Sequence, residues 1–323
     1  MAKQPDHPSQ PTPFRTTIGG QALIEGILMR GPEKQAIVVR KPDGDLVTKV
    51  EELHLIKERH PILGVPLIRG TVNFLDSMVK GVQALMFSAE FYPEDEEEAA
   101  AEPSKFEVWL EKKLGSEQFM KVLIALAVVL GIGFSVCLFI LLPAFLGGLL
   151  QKVISSYLVC NLLEGVLRIV IFLLYLILCS KQKDMKRVFA YHGAEHKTIF
   201  CYERGLELTV DHVRDMPRHH PRCGTSFLFV VLVLSILLFS VVQVESVLLQ
   251  MLLKLLLLPV LVSITYEINR FVGRHDTALT RIITAPGLWL QNFTTNEPDD
   301  SMIEVGIAAL QAVLPDLKGQ DAW

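Results

Sequence analysis

The chain is poor in cysteine, lacks basic clusters and shows no secretory leader, and each shortage removes a class of protein. Five cysteines occur in 323 residues. Cys137, Cys160 and Cys179 fall inside apolar runs, where cysteine behaves as a small hydrophobe, and nothing resembles a disulfide framework. The net charge is −4, and no basic patch interleaved with aromatics occurs, so there is no case for nucleic acid as a partner. Residues 1–17 are polar and rich in Pro and Gln, without the apolar core or small-residue cleavage site of a signal peptide. No G-x-G-x-x-G loop is found, so no nucleotide site is assigned. The most informative gap is local. No charged side chain lies between Lys121 and Lys152, a stretch longer than the roughly 20 residues a helix needs to cross a bilayer.

Three more apolar runs follow, at about Tyr157 to Ser180, Thr225 to Val244 and Leu248 to Asn269. Pro143 and Gly147-Gly148 are expected to end the first span. The second contains Glu164 and Arg168, four apart and able to pair on one helix face; in the alternative reading the helix starts later and the pair sits at the headgroups. Lys254, near the start of the fourth run, is expected to snorkel. The segment from Lys181 to Arg222 carries nine Lys and Arg residues, and Arg270, Arg274 and Arg281 follow the last run. The positive-inside rule then places this loop and both termini in the cytoplasm of a multi-pass membrane protein, with Cys201 and Cys223 as reduced thiols.

Outside the spans the pattern changes. Gly19 to Pro32 holds too many glycines for a long regular helix. Gln35–Arg40 and Asp45–Val50 are β-branched runs flanking Lys41-Pro42-Asp43-Gly44, which predicts a β-hairpin, with a third strand near Leu53 to Ile56. Apolar residues from Ile68 to Met86 recur at three- and four-residue steps and predict an amphipathic helix that covers the hairpin or lies on the membrane. Residues 93–103 form an acidic stretch, and Pro298 with its acidic neighbours predicts the start of a last helix. Trp289 suits an interfacial anchor. The expected fold is mainly α: a four-span helical membrane protein with a small cytosolic α+β part and a cytosolic C-terminal helix. The expected division is 1–17 tail, 18–92 hairpin and amphipathic helix, 93–105 linker, 106–180 spans one and two, 181–224 cytosolic loop, 225–270 spans three and four, and 271–323 cytosolic region.

Chemistry concentrates in the 181–224 loop. His192 and His196 in H-x-x-E-H fall one turn apart on a helix, where a metal ion can bridge them and Glu195 can act as general base on bound water. His220 or Cys223 in the following cluster supplies a third ligand; His219 is the weaker choice beside an adjacent histidine. Imidazole and thiolate favour zinc among divalent metals. The bland reading is a polar helix whose His and Glu bond within the loop. As a string, H-x-x-E-H has the inverzincin order, which needs a downstream glutamate, and Glu267 is the conveniently placed one.

Five separated motifs carry a family resemblance: Gly19 to Gly26, Arg30-Gly31-Pro32, His192 to Lys197, His220 to Phe227, and Pro286 to Gln291. Together they resemble the YqhQ-like family, bacterial membrane proteins with a domain of unknown function described as predicted metal-dependent enzymes. The resemblance, rather than spacing, singles out Glu25 and Arg30 as ligand, base or substrate clamp, or as a salt bridge that pins the loop. The leading expectation is a zinc-dependent hydrolase at the cytoplasmic membrane face. The alternative is a non-enzymatic scaffold or assembly factor. A transporter rests on Glu164, Arg168 and Lys254 alone. Membrane lipids, and a homo-oligomeric or membrane-protein partner, are the expected company.

Overall fold

The computed structural model describes residues 14–53, 60–92, 115–240, 244, 246–317 and 319–323. The predicted tail at 1–13, the acidic stretch at 93–103 and all but Leu53 of the predicted third strand lie outside these residues. The chain divides into two compact units, one of 1–92, 175–234 and 259–323, the other of 93–174 and 235–258.

The first unit opens with a four-stranded antiparallel sheet in chain order, β1 (Gly19–Leu23), β2 (Gly26–Arg30), β3 (Lys34–Arg40) and β4 (Leu46–Glu52). The predicted hairpin is β3–β4, with Arg40 opposite Leu46 across a turn in which Gly44 takes φ +94. The glycine-rich stretch, read from its sequence only as unsuited to a long helix, is a second hairpin. Leu23 pairs with Gly26 around Ile24-Glu25, and Glu25 supplies the left-handed residue at φ 49. The central strands are buried on both faces, so their sequence reads as apolar runs without alternation.

Helices follow in the order α1 (Arg69–Ala89), α2 (Ser116–Val136), α3 (Leu142–Leu150), α4 (Tyr157–Lys181), α5 (Lys183–Glu203), α6 (Val210–Arg214), α7 (Gly224–Ser240), α8 (Val247–Arg274), α9 (Ala278–Thr294) and α10 (Asp300–Val313). One sheet face, with Ile27, Met29, Ala36 and Val38, packs on Tyr191 and Ala194 of α5 and on Ala309 and Leu310 of α10. The other, with Leu28, Ile37 and Val39, packs on Ala84 of α1. Alternate side chains of each strand thus serve different helices. Helix α1 does cover the sheet, but through its small residues. Gly81, Ala84 and Ser88 are buried, while Leu75 and Val79 of the predicted apolar stripe are 55% and 57% exposed. The predicted last helix begins at Asp300 with Asp299 as its cap, accepting from the Met302 amide at 3.0 Å.

Among the described residues, three helical stretches are long and apolar enough to cross a membrane: Val122–Leu150, Leu158–Lys181 and Leu248–Arg274. The predicted third run forms the shorter apolar helix α7. In the second unit the helix runs past Pro143 and ends at Leu150, two residues after Gly147-Gly148. A π-helical turn, Cys137–Leu141, joins α2 to α3 with Pro143 just after it; Pro143 has no N–H to continue the ladder, and Arg168 Nε donates to the Phe139 carbonyl four residues earlier at 3.0 Å. Glu164 and Arg168 pair at 2.7 Å, both 3% exposed. Lys254 does not snorkel. It is fully buried because the Glu164 carboxylate meets its ammonium at 2.6 Å.

Candidate metal centre

The predicted 181–224 loop contains the 21-residue helix α5, whose second half is buried in the first unit, and the short helix α6. Gly193 explains how. A Cβ there would strike the Asn296 carbonyl oxygen, so glycine is what lets the chain after α9 lie directly on α5. The Asn296 amide returns a hydrogen bond to the Phe189 carbonyl at 2.8 Å. With that face packed, the next face carries the chemistry.

The His192 and His196 rings lie 4.3 Å apart, centroid to centroid, as four-residue helical spacing requires. Cys223, just before α7, brings its Sγ to 3.1 Å from His192 Nε2. One ligand atom from each of His192, His196 and Cys223 lies within 4.8 Å of the others. The ring tautomers follow from their partners. A carbonyl oxygen only accepts, so His192 Nδ1 donates to Thr294 O at 2.8 Å and His196 Nδ1 to Arg218 O at 2.6 Å. The Nε2 atoms are left facing Cys223. His196 Nε2 is buried and has no hydrogen-bond partner among the described residues. Metal-ligating histidines have this arrangement, one ring nitrogen anchored and the other free. Zinc bond lengths of about 2.0–2.3 Å at a tetrahedral angle set ligand atoms roughly 3.3–3.8 Å apart. The 3.1 Å His192–Cys223 separation lies just below that window and the remaining separations are bounded at 4.8 Å, so two imidazoles and a thiol are grouped on the scale of a zinc site.

Glu195 adds a second unsatisfied atom. Its Oε1 accepts the Gly20 amide at 3.0 Å, whereas its buried Oε2 has no hydrogen-bond partner among the described residues. Gly20 is needed for this approach, since a Cβ there would stand 2.5 Å from the Leu28 carbonyl and 3.0 Å from Glu195 Cδ. Burial raises the Glu195 pKa against the opposing pull of His192 and His196. Burial also works against a charged His192, but the Cys223 thiolate beside it prevails and pushes the ring up to about 9. The Cys223 thiol, which burial alone would raise, is held well below its ordinary value by His192 and His196. These groups line a cavity of about 370 Å³ shared with Gly20, Thr17 and Trp323.

His220 is placed differently from expectation. Its ring centroid is 5.6 Å from that of His196, but Nε2 lies 3.6 Å from Glu203, which also pairs with Arg222. It is outside the three-ligand group, and burial, outweighing Glu203, drops its pKa to about 4. Cys223 is the third member of that group. His219 lies outside it and receives a long contact from Arg218 at 3.4 Å. Glu25 and Arg30 do not line the cavity. Glu25 binds Arg187, at 2.6 Å through one nitrogen, and accepts from Tyr191 Oη at 3.0 Å, so it ties the β1–β2 turn to α5. Arg30 pairs with Asp76 of α1 at 2.9 Å. Glu267 is held by both nitrogens of an Arg69 fork at 2.7 and 2.6 Å and supplies nothing to the cluster. The inverzincin analogy thus loses its fourth residue.

Several positioning groups escaped sequence reasoning. Buried Gln291 holds the His220 backbone from both sides, accepting from its amide at 2.7 Å and donating to its carbonyl at 2.8 Å. The Thr294 and Arg218 contributions are backbone carbonyls and leave no side-chain signature. Gln291 sat in the Pro286 to Gln291 motif, which was the one available signal.

An antiparallel sheet clasped by helices, apolar helices of membrane-crossing length and a His/His/Cys group with His196 and Cys223 buried define the class. A family model described as "Protein of unknown function (DUF1385)" matches residues 65–316, and the chain belongs to this family. It is similar to "Uncharacterized protein YqhQ" of Bacillus subtilis (strain 168), being 32% identical over 302 residues that cover 92% of each chain. No solved structure matches it.

Proposed function

We propose that the protein is a zinc-dependent hydrolase of the bacterial inner membrane, with its centre at the cytoplasmic face. In this reading α7 is a fourth span beside the three longer apolar helices, and the Lys/Arg-rich 181–222 segment and both termini are cytoplasmic. His192, His196 and Cys223 hold the metal. The observation that carries the reading is the pair of buried, unpartnered atoms, His196 Nε2 and Glu195 Oε2, beside a His192–Cys223 contact. An unpaired buried polar atom is costly, about 1–3 kcal/mol, and two in one cavity call for a common occupant. A bound zinc would supply Lewis acidity toward a carbonyl or phosphoryl oxygen and acidify a water. The Thr294 and Arg218 carbonyls fix the imidazole tautomers, and Glu195, held by Gly20 and made more basic by burial, moves a proton at Oε2. His220 is a positioning residue, tied to Glu203 and Gln291 rather than to the centre.

The scaffold reading has its own support. The Glu203–Arg222 pair and the Glu25–Arg187 pair link separate elements without any metal. Elemental analysis separates the two. Full-length protein purified in detergent without metal-affinity steps is expected to carry close to one zinc per chain, with His196→Ala and Cys223→Ser losing it and Glu195→Gln keeping it. Wild-type protein that is folded and metal-free after growth in zinc-supplemented medium rejects the zinc reading.

A further inference from the structure

We infer that the substrate class of this centre is a lipid phosphate, whose anionic headgroup is received in an arginine-lined cavity adjoining the His192/His196/Cys223 cavity; this rests on the hydrolase reading above. The second cavity, about 470 Å³, shares Thr17 and Trp323 with the first. Arg69, Arg270 and Arg274 line it. Among the described residues only Arg69 has a carboxylate within ion-pair distance, Glu267, and neither Arg270 nor Arg274 forms an ion pair. Guanidinium forks match phosphate oxygens, and Asn73 and Tyr266 add polar groups to the same wall.

The surroundings point to an amphiphile rather than a soluble anion. Leu63 and Gly64 of the cavity wall belong to the segment Pro61 to Ile68, in which Ile62, Val65, Leu67 and Ile68 are 74%, 42%, 60% and 42% exposed. Leu67 takes the left-handed φ of 71, which a branched side chain seldom adopts. Exposed Leu75 and Val79 of α1 extend the same apolar character. Arg270 and Arg274 close the apolar helix α8, the level at which lipid headgroups lie if α8 spans the membrane. Acyl chains would then rest on apolar surface and the phosphate on the arginines, in a cavity that shares Thr17 and Trp323 with the one lined by Glu195; hydrolysis would break the phosphoester P–O bond, water giving its hydroxyl to phosphorus and its proton to the departing lipid alcohol.

The test titrates the full-length protein in neutral detergent with dihexanoyl-phosphatidate, dihexanoyl-phosphatidylcholine or inorganic phosphate, by calorimetry. The phosphatidate is expected to bind at least tenfold more tightly than either of the others. Arg270→Gln/Arg274→Gln should weaken it at least tenfold with zinc content unchanged, and the Lys/Lys variant, which keeps the charge, should retain most of the affinity. His196→Ala should lose zinc yet still bind phosphatidate, so a failure of the centre is seen separately from a failure of the cavity. Phosphatidate binding that is absent, matched by phosphatidylcholine, matched by inorganic phosphate, or indifferent to the double Gln variant overturns the inference.

Discussion

Glu164 is the single anion in a buried three-charge group, so it should matter far more than the Lys254 it binds. Its carboxylate accepts from Arg168 at 2.7 Å and from Lys254 at 2.6 Å, with the three side chains 0–3% exposed. Arg168 has two further anchors, the Phe139 carbonyl at 3.0 Å and Ser235 Oγ at 2.9 Å. Glu164→Gln strands two buried cations without a counter-charge, a loss of about 3–5 kcal/mol on the scale of broken buried pairs. Lys254→Met deletes one of those cations and leaves a neutral Glu164–Arg168 pair, which should cost about 1 kcal/mol or less. With roughly 2–4 °C of midpoint per kcal/mol for a chain of this order, the two variants should differ by on the order of 5–10 °C. Apparent thermal midpoints in one detergent, followed by intrinsic fluorescence, read the gap. Glu164→Gln/Lys254→Met should recover part of it. Equal midpoints for the two single variants, or a lower one for Lys254→Met, would refute the charge argument.

Three further outcomes concern the first unit. Gly193→Ala drives a Cβ into the Asn296 carbonyl and should destabilise by about 1–3 kcal/mol, while Gly224→Ala, where nothing lies within 4 Å, should be nearly neutral; thermal midpoints compare them. His220 sits at about 4 when folded against about 6.5 when unfolded, so between those values the unfolded chain binds the extra proton. Its contribution is therefore complete above pH 6.5 and lost as pH falls toward 4, about 3 kcal/mol in all, and a pH series of midpoints on wild type and His220→Gln should show the variant's acid slope flattened. Cys223 lines a cavity with a depressed thiol pKa, while buried Cys201 is pushed up to about 11. Chelator-treated protein should take up iodoacetamide at Cys223 near pH 6.5, with Cys201 unlabelled and zinc protecting Cys223, as mass spectrometry of peptides would show.

What the sequence made legible is what periodicity carries. The H-x-x-E-H spacing gives a helical face because 3.6 residues per turn leaves little choice, and the Pro-Asp-Gly turn fixes β3–β4. The β1–β2 hairpin was hidden because Gly19, Gly20 and Gly26 read as breakers. Gly20 and Gly26 are small for another reason, the close approach of a neighbouring strand and, at Gly20, of Glu195. Helix α1 misled in the opposite sense, since its regular apolar stripe is largely outward and its glycine and alanine face is the packed one. Lys254 looked like a residue near a helix end with an escape to water. Its partner lies 90 positions away on α4, and no local pattern signals a contact at that separation.

The least legible part of the centre is also the most economical structurally. Thr294 is the last residue of α9, and the final carbonyls of a helix have no partner within it. His192 Nδ1 supplies the donor that Thr294 O lacks, and the same bond fixes the tautomer that turns Nε2 toward Cys223. Arg218 O and His196 repeat the arrangement from a turn. Each histidine thus satisfies an orphan carbonyl with one nitrogen and is free to coordinate with the other. A His192→Asn substitution could keep the first role without the second. It should leave the fold nearer to wild type than His192→Ala does, while holding zinc no better, and this separates the structural share of the residue from its share in the centre.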